Sequence, residues 1–158
     1  MSRPENVVAS AEVPEQNNFT REKFQVRRRR LGAAAGGEKL GCSLVEVPPG
    51  KSSWPTHYHL ANEEAVFVLE GEGVLWQGKA ECAIRGGDYV ALRIGPPGHR
   101  IENRSRTALR YLAISTMIEP EISVYPDSEK VGVLARKIAG LFDVYERKGA
   151  VDYWKGEE

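Results

Sequence analysis

The chain has 158 residues, the size of one domain with room for an apolar core, so neither disulfides nor a metal is needed for folding. Its 22 basic and 22 acidic residues cancel, and with a pI near 6.9 no long-range field recruits nucleic acid or a membrane surface. Cys42 and Cys82 are the only cysteines and form no C-x-x-C pair, which argues against a secreted disulfide framework and favours a reduced, cytoplasmic setting.

Residues 1–18 carry Pro4, Pro14, Asn17 and Asn18 with no apolar period, which predicts a flexible, partly disordered N-terminal arm. They lack the apolar stretch of a signal peptide, and no later run is long and apolar enough to span a bilayer. From residue 19 onward short runs at 24–31, 40–47, 64–69, 73–77, 89–94 and 109–116 alternate with turns rich in Gly and Pro, such as Pro48-Pro49-Gly50 and Gly95-Pro96-Pro97-Gly98. That spacing predicts an all-β sandwich or barrel over residues 19–118. Within the first run, Arg27 to Arg30 are divided by strand alternation between two faces, and a solvated or dimer-facing edge accounts for them without any ligand.

Beyond residue 118 the pattern changes. Residues 131–142 place Val133, Ile138 and Leu141 at mixed spacing and predict a short helix capped by Ser128. Residues 142–154 carry Tyr145, Tyr153 and Trp154 and read as a tail. Together, residues 119–158 form a C-terminal extension expected to pack on the barrel or on a partner subunit.

All three histidines fall in the middle of the chain: His57 and His59 flank Tyr58, and His99 follows a Gly/Pro turn. On a strand, residues two apart share a face, so His57 and His59 project together while Tyr58 points away. Glu63 and Glu64 follow, and imidazole with carboxylate suits a first-row divalent metal. Alternation alone leaves open which glutamate joins the histidines, because both faces of residues 65–69 are apolar.

The stretch Gly50, His57, His59, Glu64, Gly71 resembles the first motif of the cupin superfamily, G-x5-H-x-H-x3,4-E-x6-G. The distance from Glu64 to Gly71 matches and selects Glu64 over Glu63, while Gly50 stands one residue further from His57 than the pattern expects. Gly87, Arg93, Gly95, His99 and Asn103 resemble the second motif, G-x5-P-x-G-x2-H-x3-N, with Arg93 in place of proline and one extra residue before His99. The core motifs occupy residues 50–103 and the resemblance extends over roughly residues 40–115.

The resemblance implies a double-stranded β-helix, a small jelly-roll barrel, in a chain that pairs as a homodimer. It also implies one divalent transition metal (Mn, Fe, Ni or Zn) on His57, His59, Glu64 and His99, and a small-molecule substrate. Three imidazoles and one carboxylate leave two positions of an octahedron open. These suit a sugar-phosphate-isomerase-like reaction through a metal-chelated enediol, an Fe(II) dioxygenase, or a barrel that captures a small polar metabolite without turnover. Arg93 and Arg110 are the candidate anion-binding residues at the pocket mouth, and Tyr89, with Trp54 and Trp76, a candidate wall residue. Cys42 and Cys82 read as small buried hydrophobes.

Overall fold

The computed structural model describes residues 3–16 and 20–157. The strands are β1 (Arg27–Arg29), β2 (Leu40–Val47), β3 (Tyr58–His59), β4 (Glu64–Glu70), β5 (Glu72–Gln77) and β6 (Ala80–Arg85). They continue as β7 (Tyr89–Leu92), β8 (His99–Glu102), β9 (Leu109–Thr116), β10 (Glu121–Tyr125), β11 (Lys130–Ala135) and β12 (Leu141–Glu146), with single helical turns α1 (Leu31–Ala34) and α2 (Arg136–Ala139).

One sheet has the order β1-β2-β9-β4-β7, entirely antiparallel. Two smaller sheets, β6-β5-β8 and β12-β11-β10-β3, are joined where His57 and His99 exchange backbone hydrogen bonds of 3.1 and 2.8 Å. The chain is thus an all-β double-stranded β-helix, a jelly roll, as expected.

Its core lies between the layers. Alternation along β4 buries Val66 and Val68 and turns Phe67 and Leu69 outward, the arrangement that follows when Glu64 faces inward and Glu63 outward. Val45, Val47, Leu109 and Tyr111 join these valines from one sheet and Leu75, Ile84 and Ile101 from the other. Each such buried side chain contributes about 1.5–3 kcal/mol of hydrophobic stabilisation.

The corners of the roll are fixed by particular residues. Gly71 turns β4 into β5 at φ +84°, and a Cβ there would stand 2.4 Å from the Ala108 carbonyl oxygen, so no other residue fits. Asn103, fully buried at the end of β8, donates from its side-chain nitrogen to the Val47 and Thr107 carbonyls at 2.8 Å each. Its oxygen accepts from the backbone N–H and hydroxyl of Ser105 at 3.0 and 2.8 Å.

Three expectations differ from what is observed. Residues 131–142 do not form a helix: β11 pairs with β10 and β12, and only the turn α2 interposes before Gly140 at φ +68°. The reason is the β-branched alternation of Val131 and Val133, which packs on a sheet better than on a helix. Cys42 is half-buried and Cys82 exposed, because β6 is an edge strand of its sheet. The described part of the predicted arm lies on β1: Gln16 exchanges backbone hydrogen bonds with Arg28, Arg29 donates to the carbonyls of Ala11 and Val13, and Val13 is buried. Residues 1, 2, 17 and 18 of that arm lie outside the described residues.

At the far edge, β12 exposes apolar side chains on both faces, including Phe142, Val144 and Tyr145. Among the described residues no helix is long and apolar enough to cross a membrane.

Replacing Asn103 by Ala leaves the Val47 and Thr107 carbonyls without their buried donor. The expected outcome is a loss of about 2–3 kcal/mol in unfolding free energy, read by urea denaturation, with the slope unchanged.

Candidate metal centre

The site is assembled by strand pairing. His57 and His99 are directly opposed across an antiparallel, hydrogen-bonded pair, which sets their side chains side by side on one face; their ring centroids are 4.6 Å apart. Gly98 permits this approach, since a Cβ there would meet Thr56 Cγ2 at 3.1 Å and the His57 carbonyl oxygen at 3.3 Å. His59, two residues on, shares the inward face of His57, with ring centroids 5.1 Å apart, and pairs through its backbone with Ser123 of β10. Glu64 enters from the opposite sheet at the start of β4, between Leu92 and Ser115.

His57, Glu64 and His99 each bring one donor atom within 4.8 Å of the others. His59 joins them through Glu64, whose Oε2 stands 3.2 Å from His59 Nε2 and 3.3 Å from His99 Nε2. Two donors each about 2.1 Å from one ion at a right angle are about 3.0 Å apart, close to these separations. His59 Nε2 is buried and, although 3.2 Å from the Glu64 carboxylate, makes no well-formed hydrogen bond to it. An orphaned buried nitrogen beside a carboxylate and two further imidazoles fits a borderline divalent cation.

The outer nitrogens are held as metal-ligating imidazoles commonly are. His57 Nδ1 lies 2.8 Å from the Pro55 carbonyl oxygen, an acceptor, so Nδ1 carries the proton and Nε2 keeps its lone pair. His59 Nδ1 faces Ser123 Oγ at 3.3 Å and Glu121 Oε1 at 3.5 Å. Glu121 is only 1% exposed; it also accepts from the Leu60 backbone N–H at 3.0 Å and from the Asn62 side-chain amide. Asn62 in turn accepts from the Ile118 N–H, tying β10 to the loop between His59 and Glu64.

Charge follows from these contacts. Burial and the neighbouring His99 imidazole push His57 down to about 4, so it is neutral at physiological pH. Burial would lower His59 as well, but Glu64 and Glu121 outweigh it and raise it. Burial alone would raise the Glu64 carboxyl, yet the imidazoles of His59 and His99 outweigh it and hold Glu64 well below the usual carboxylate range.

The cluster opens into a cavity of about 400 Å³ between the sheets, walled by apolar residues such as Val66, Leu92 and Ile101. Arg28, Trp54, Arg100, Tyr111, Tyr125 and Lys130 add polar or aromatic groups, and the Tyr125 ring stacks 6.0 Å from His57. Of the sequence-predicted site residues, His57, His59, Glu64 and His99 come together on this wall. Arg93, Arg110 and Tyr89 do not line it. Arg93 is exposed, Arg110 is ion-paired to Glu70 at 3.2 Å and lies 3.8 Å from Glu46, and Tyr89 is 65% exposed. The pleat explains the last two: each sits on the outer face of its strand, opposite Val90 or Tyr111.

Arg28, expected on a solvated or dimer-facing edge, turns instead into the cavity, because β1 pairs with this chain's own β2. Glu121, Tyr125 and Lys130, from the extension, were not singled out in the sequence. The one available signal was the alternation of 121–125, with Glu121, Ser123 and Tyr125 on one face.

A jelly roll carrying a cluster of histidines and one glutamate that could hold a metal is what this fold and donor set define, and comparison places it: the chain belongs to the cupin superfamily. The Cupin domain family model matches residues 43–115. A solved sugar phosphate isomerase of the cupin superfamily from Silicibacter pomeroyi is 31% identical, over 79% of this chain and 78% of that one, with a TM-score of 0.74. A solved protein of Acidithiobacillus ferrooxidans, 22% identical, shares the fold over 94% of this chain and 96% of its own, with a TM-score of 0.82. An oxalate-binding protein of Thermotoga maritima is 34% identical over 74 residues, 47% of this chain; the match spans 60% of that relative's length.

For the metal-free protein the depressed His57 gives a signed pH dependence. Between pH 6.5 and about 4 the unfolded chain binds a proton at His57 that the folded chain does not, so His57 makes stability fall as the solution is acidified. Thermal melts across that window are expected to show a shallower decline in His57→Gln than in the wild type.

Proposed function

We propose that this chain is a metal-dependent cupin that takes one small polar metabolite into the cavity between its sheets. His57, His59, Glu64 and His99 would hold a single divalent transition metal, and the observation that carries this is the orphaned His59 Nε2 beside Glu64, His57 and His99. When bound, the metal supplies a Lewis acid for the metabolite's oxygens. The protein's own part is to orient and to exclude water. Pro55 fixes the His57 ring, Ser123 and Glu121 fix the His59 ring, and the apolar wall dries the space around them.

A reaction of the sugar-phosphate-isomerase kind is supported by the likeness to the Silicibacter pomeroyi enzyme. Capture without turnover has an observation of its own. Glu64 is the only carboxylate on the wall among the described residues, and its place beside His57, His59 and His99 commits it to the cluster, which leaves no free carboxylate there as a base. The Tyr125 and Tyr111 hydroxyls are pushed up by burial, with Glu64 adding to it, and stay protonated. The likeness to the oxalate-binding protein of Thermotoga maritima points the same way.

Alanine at His57, His59 or His99 is expected to remove most bound metal, and Glu64→Gln to weaken it strongly, whereas Glu63→Gln leaves the metal content unchanged. Elemental analysis of protein purified without a His-tag reads this; equal loss in Glu63→Gln refutes the ligand set.

Reaction class is read by incubating metal-loaded protein with candidate sugar phosphates in deuterated water under nitrogen. Deuterium entering a substrate C–H position marks an isomerase, whereas a ligand-dependent rise in melting temperature without exchange marks a binding protein. Oxygen uptake confined to the Fe(II) form on readmitting air marks a dioxygenase instead.

A further inference from the structure

We infer that Arg28 and Tyr111 form an oxyanion subsite in the cavity, receiving the carboxylate or phosphate group of the metabolite whose other end meets the histidine–Glu64 cluster. This deepens the function proposed above and rests on it for the position of the metabolite.

The case begins with an unpaired cation. Arg28 lies on β1, opposite Val45, with its side chain on the cavity wall. Its Nε donates to Ser43 Oγ at 3.0 Å, and its guanidinium carbon lies 6.0 Å from the centre of the Trp54 ring. The four remaining N–H donors on the two Nη atoms face no carboxylate within 4.0 Å among the described residues, although Arg27 and Arg29 on either side are both ion-paired. Burial pulls the Arg28 guanidinium below its ordinary value, and Arg30 adds to this, while Glu64 and Tyr111 oppose it. An arginine in such a place stays charged, and a partly desolvated charge without a partner is costly.

The second observation is independent. Tyr111, from β9, is 1% exposed and lines the same cavity, and its hydroxyl is buried without a hydrogen-bond partner. Ser53 is beside it; its hydroxyl donates to the Ile101 carbonyl at 3.2 Å and makes no well-formed hydrogen bond with the Tyr111 hydroxyl. A half-buried guanidinium whose Nη donors face no carboxylate and a buried phenol without a well-formed hydrogen bond thus line one cavity, and donors of this kind in a folded protein call for an occupant.

Charge identifies that occupant. Among the described residues Glu64 is the only carboxylate on the wall, set against Arg28 and Lys130, with Arg100 ion-paired to Glu102 at 3.9 Å, even before a divalent cation is added. A guanidinium fork fits the two oxygens of a carboxylate or phosphate, and the phenol supplies a third donor. The ligand class is therefore a small metabolite bearing an oxyanion group, with a cavity of about 400 Å³ to hold it. The N-terminal arm belongs to this subsite too, since Gln16 fixes the backbone of Arg28.

Isothermal titration of the full metal-loaded chain with oxalate, with glycerol phosphate and with neutral glycerol tests the inference, metal content being measured on each sample. At least one of the two anions is expected to bind and glycerol is not; which anion binds more tightly tells carboxylate from phosphate. Arg28→Gln should weaken that binding by about tenfold or more, and Tyr111→Phe by about fivefold, with metal content unchanged in both. Tyr111→Phe keeps the buried ring and so stands as the readout should Arg28→Gln not fold. Failure of both anions to bind wild type, or unaltered affinity in folded, metal-replete variants, overturns the subsite. A wild type that retains no metal yet binds anion in an Arg28-dependent way would overturn the metal reading alone and leave the subsite standing.

Discussion

The site depends on one reciprocal pair of backbone hydrogen bonds, between His57 and His99. They are main-chain bonds, so they fix the relative height of two distant stretches of sequence whatever the side chains are. They also close the seam between the two smaller sheets, and the segment 57–59 is shared by both: His57 pairs with the strand bearing His99, and His59 pairs two residues later with β10. Two imidazoles from one short strand are thereby referred to different sheets. Neither layer can shift without moving a donor atom of the cluster, which is how a β-roll gives a metal site the rigidity that coordination requires.

Electrostatics then divides the cavity into two regions. Near the seam, one carboxylate oxygen lies within 3.3 Å of two imidazole nitrogens, an arrangement that stabilises Glu64 as an anion. Away from the seam the groups on the wall are donors. A molecule bridging the two regions would present oxygens to both, and its orientation would be fixed by the asymmetry between them.

Much of the barrel was legible because its strands alternate cleanly and its turns carry residues with a single purpose. Strands β2, β4, β5 and β9 fall where apolar runs stand between Gly/Pro turns. The resemblance to the first cupin motif selected Glu64 through its distance to Gly71, and Gly71 proves to be a corner that admits no side chain. Legibility failed where burial is decided by a neighbour remote in sequence. Whether Arg28 or Arg27 points inward depends on the register of β1 on β2, and an arginine gives no sign of its side from composition. Tyr89, Arg93 and Arg110 were chosen for their chemistry, while the pleat and local ion pairs place them outside. The β11–β12 hairpin was obscured because its mixed apolar spacing suits a helix as well as a strand, and only β10 supplies the partner that decides.

The segment matched by the family model, residues 43–115, contains His57, His59, Glu64 and His99. Arg28 precedes it, and Glu121, Tyr125 and Lys130 follow it, yet Arg28, Tyr125 and Lys130 line the same cavity as the cluster and Glu121 lies 3.5 Å from His59 Nδ1. The molecule is therefore modular in a way its single barrel conceals: a shared middle supplies the histidine–Glu64 cluster, and two terminal segments complete the cavity wall. Grafting the ends of one such chain onto the barrel of another would exchange part of the cavity wall while leaving the histidine–Glu64 cluster in place, and likeness measured over the barrel alone carries information about the cluster and little about the rest of the wall.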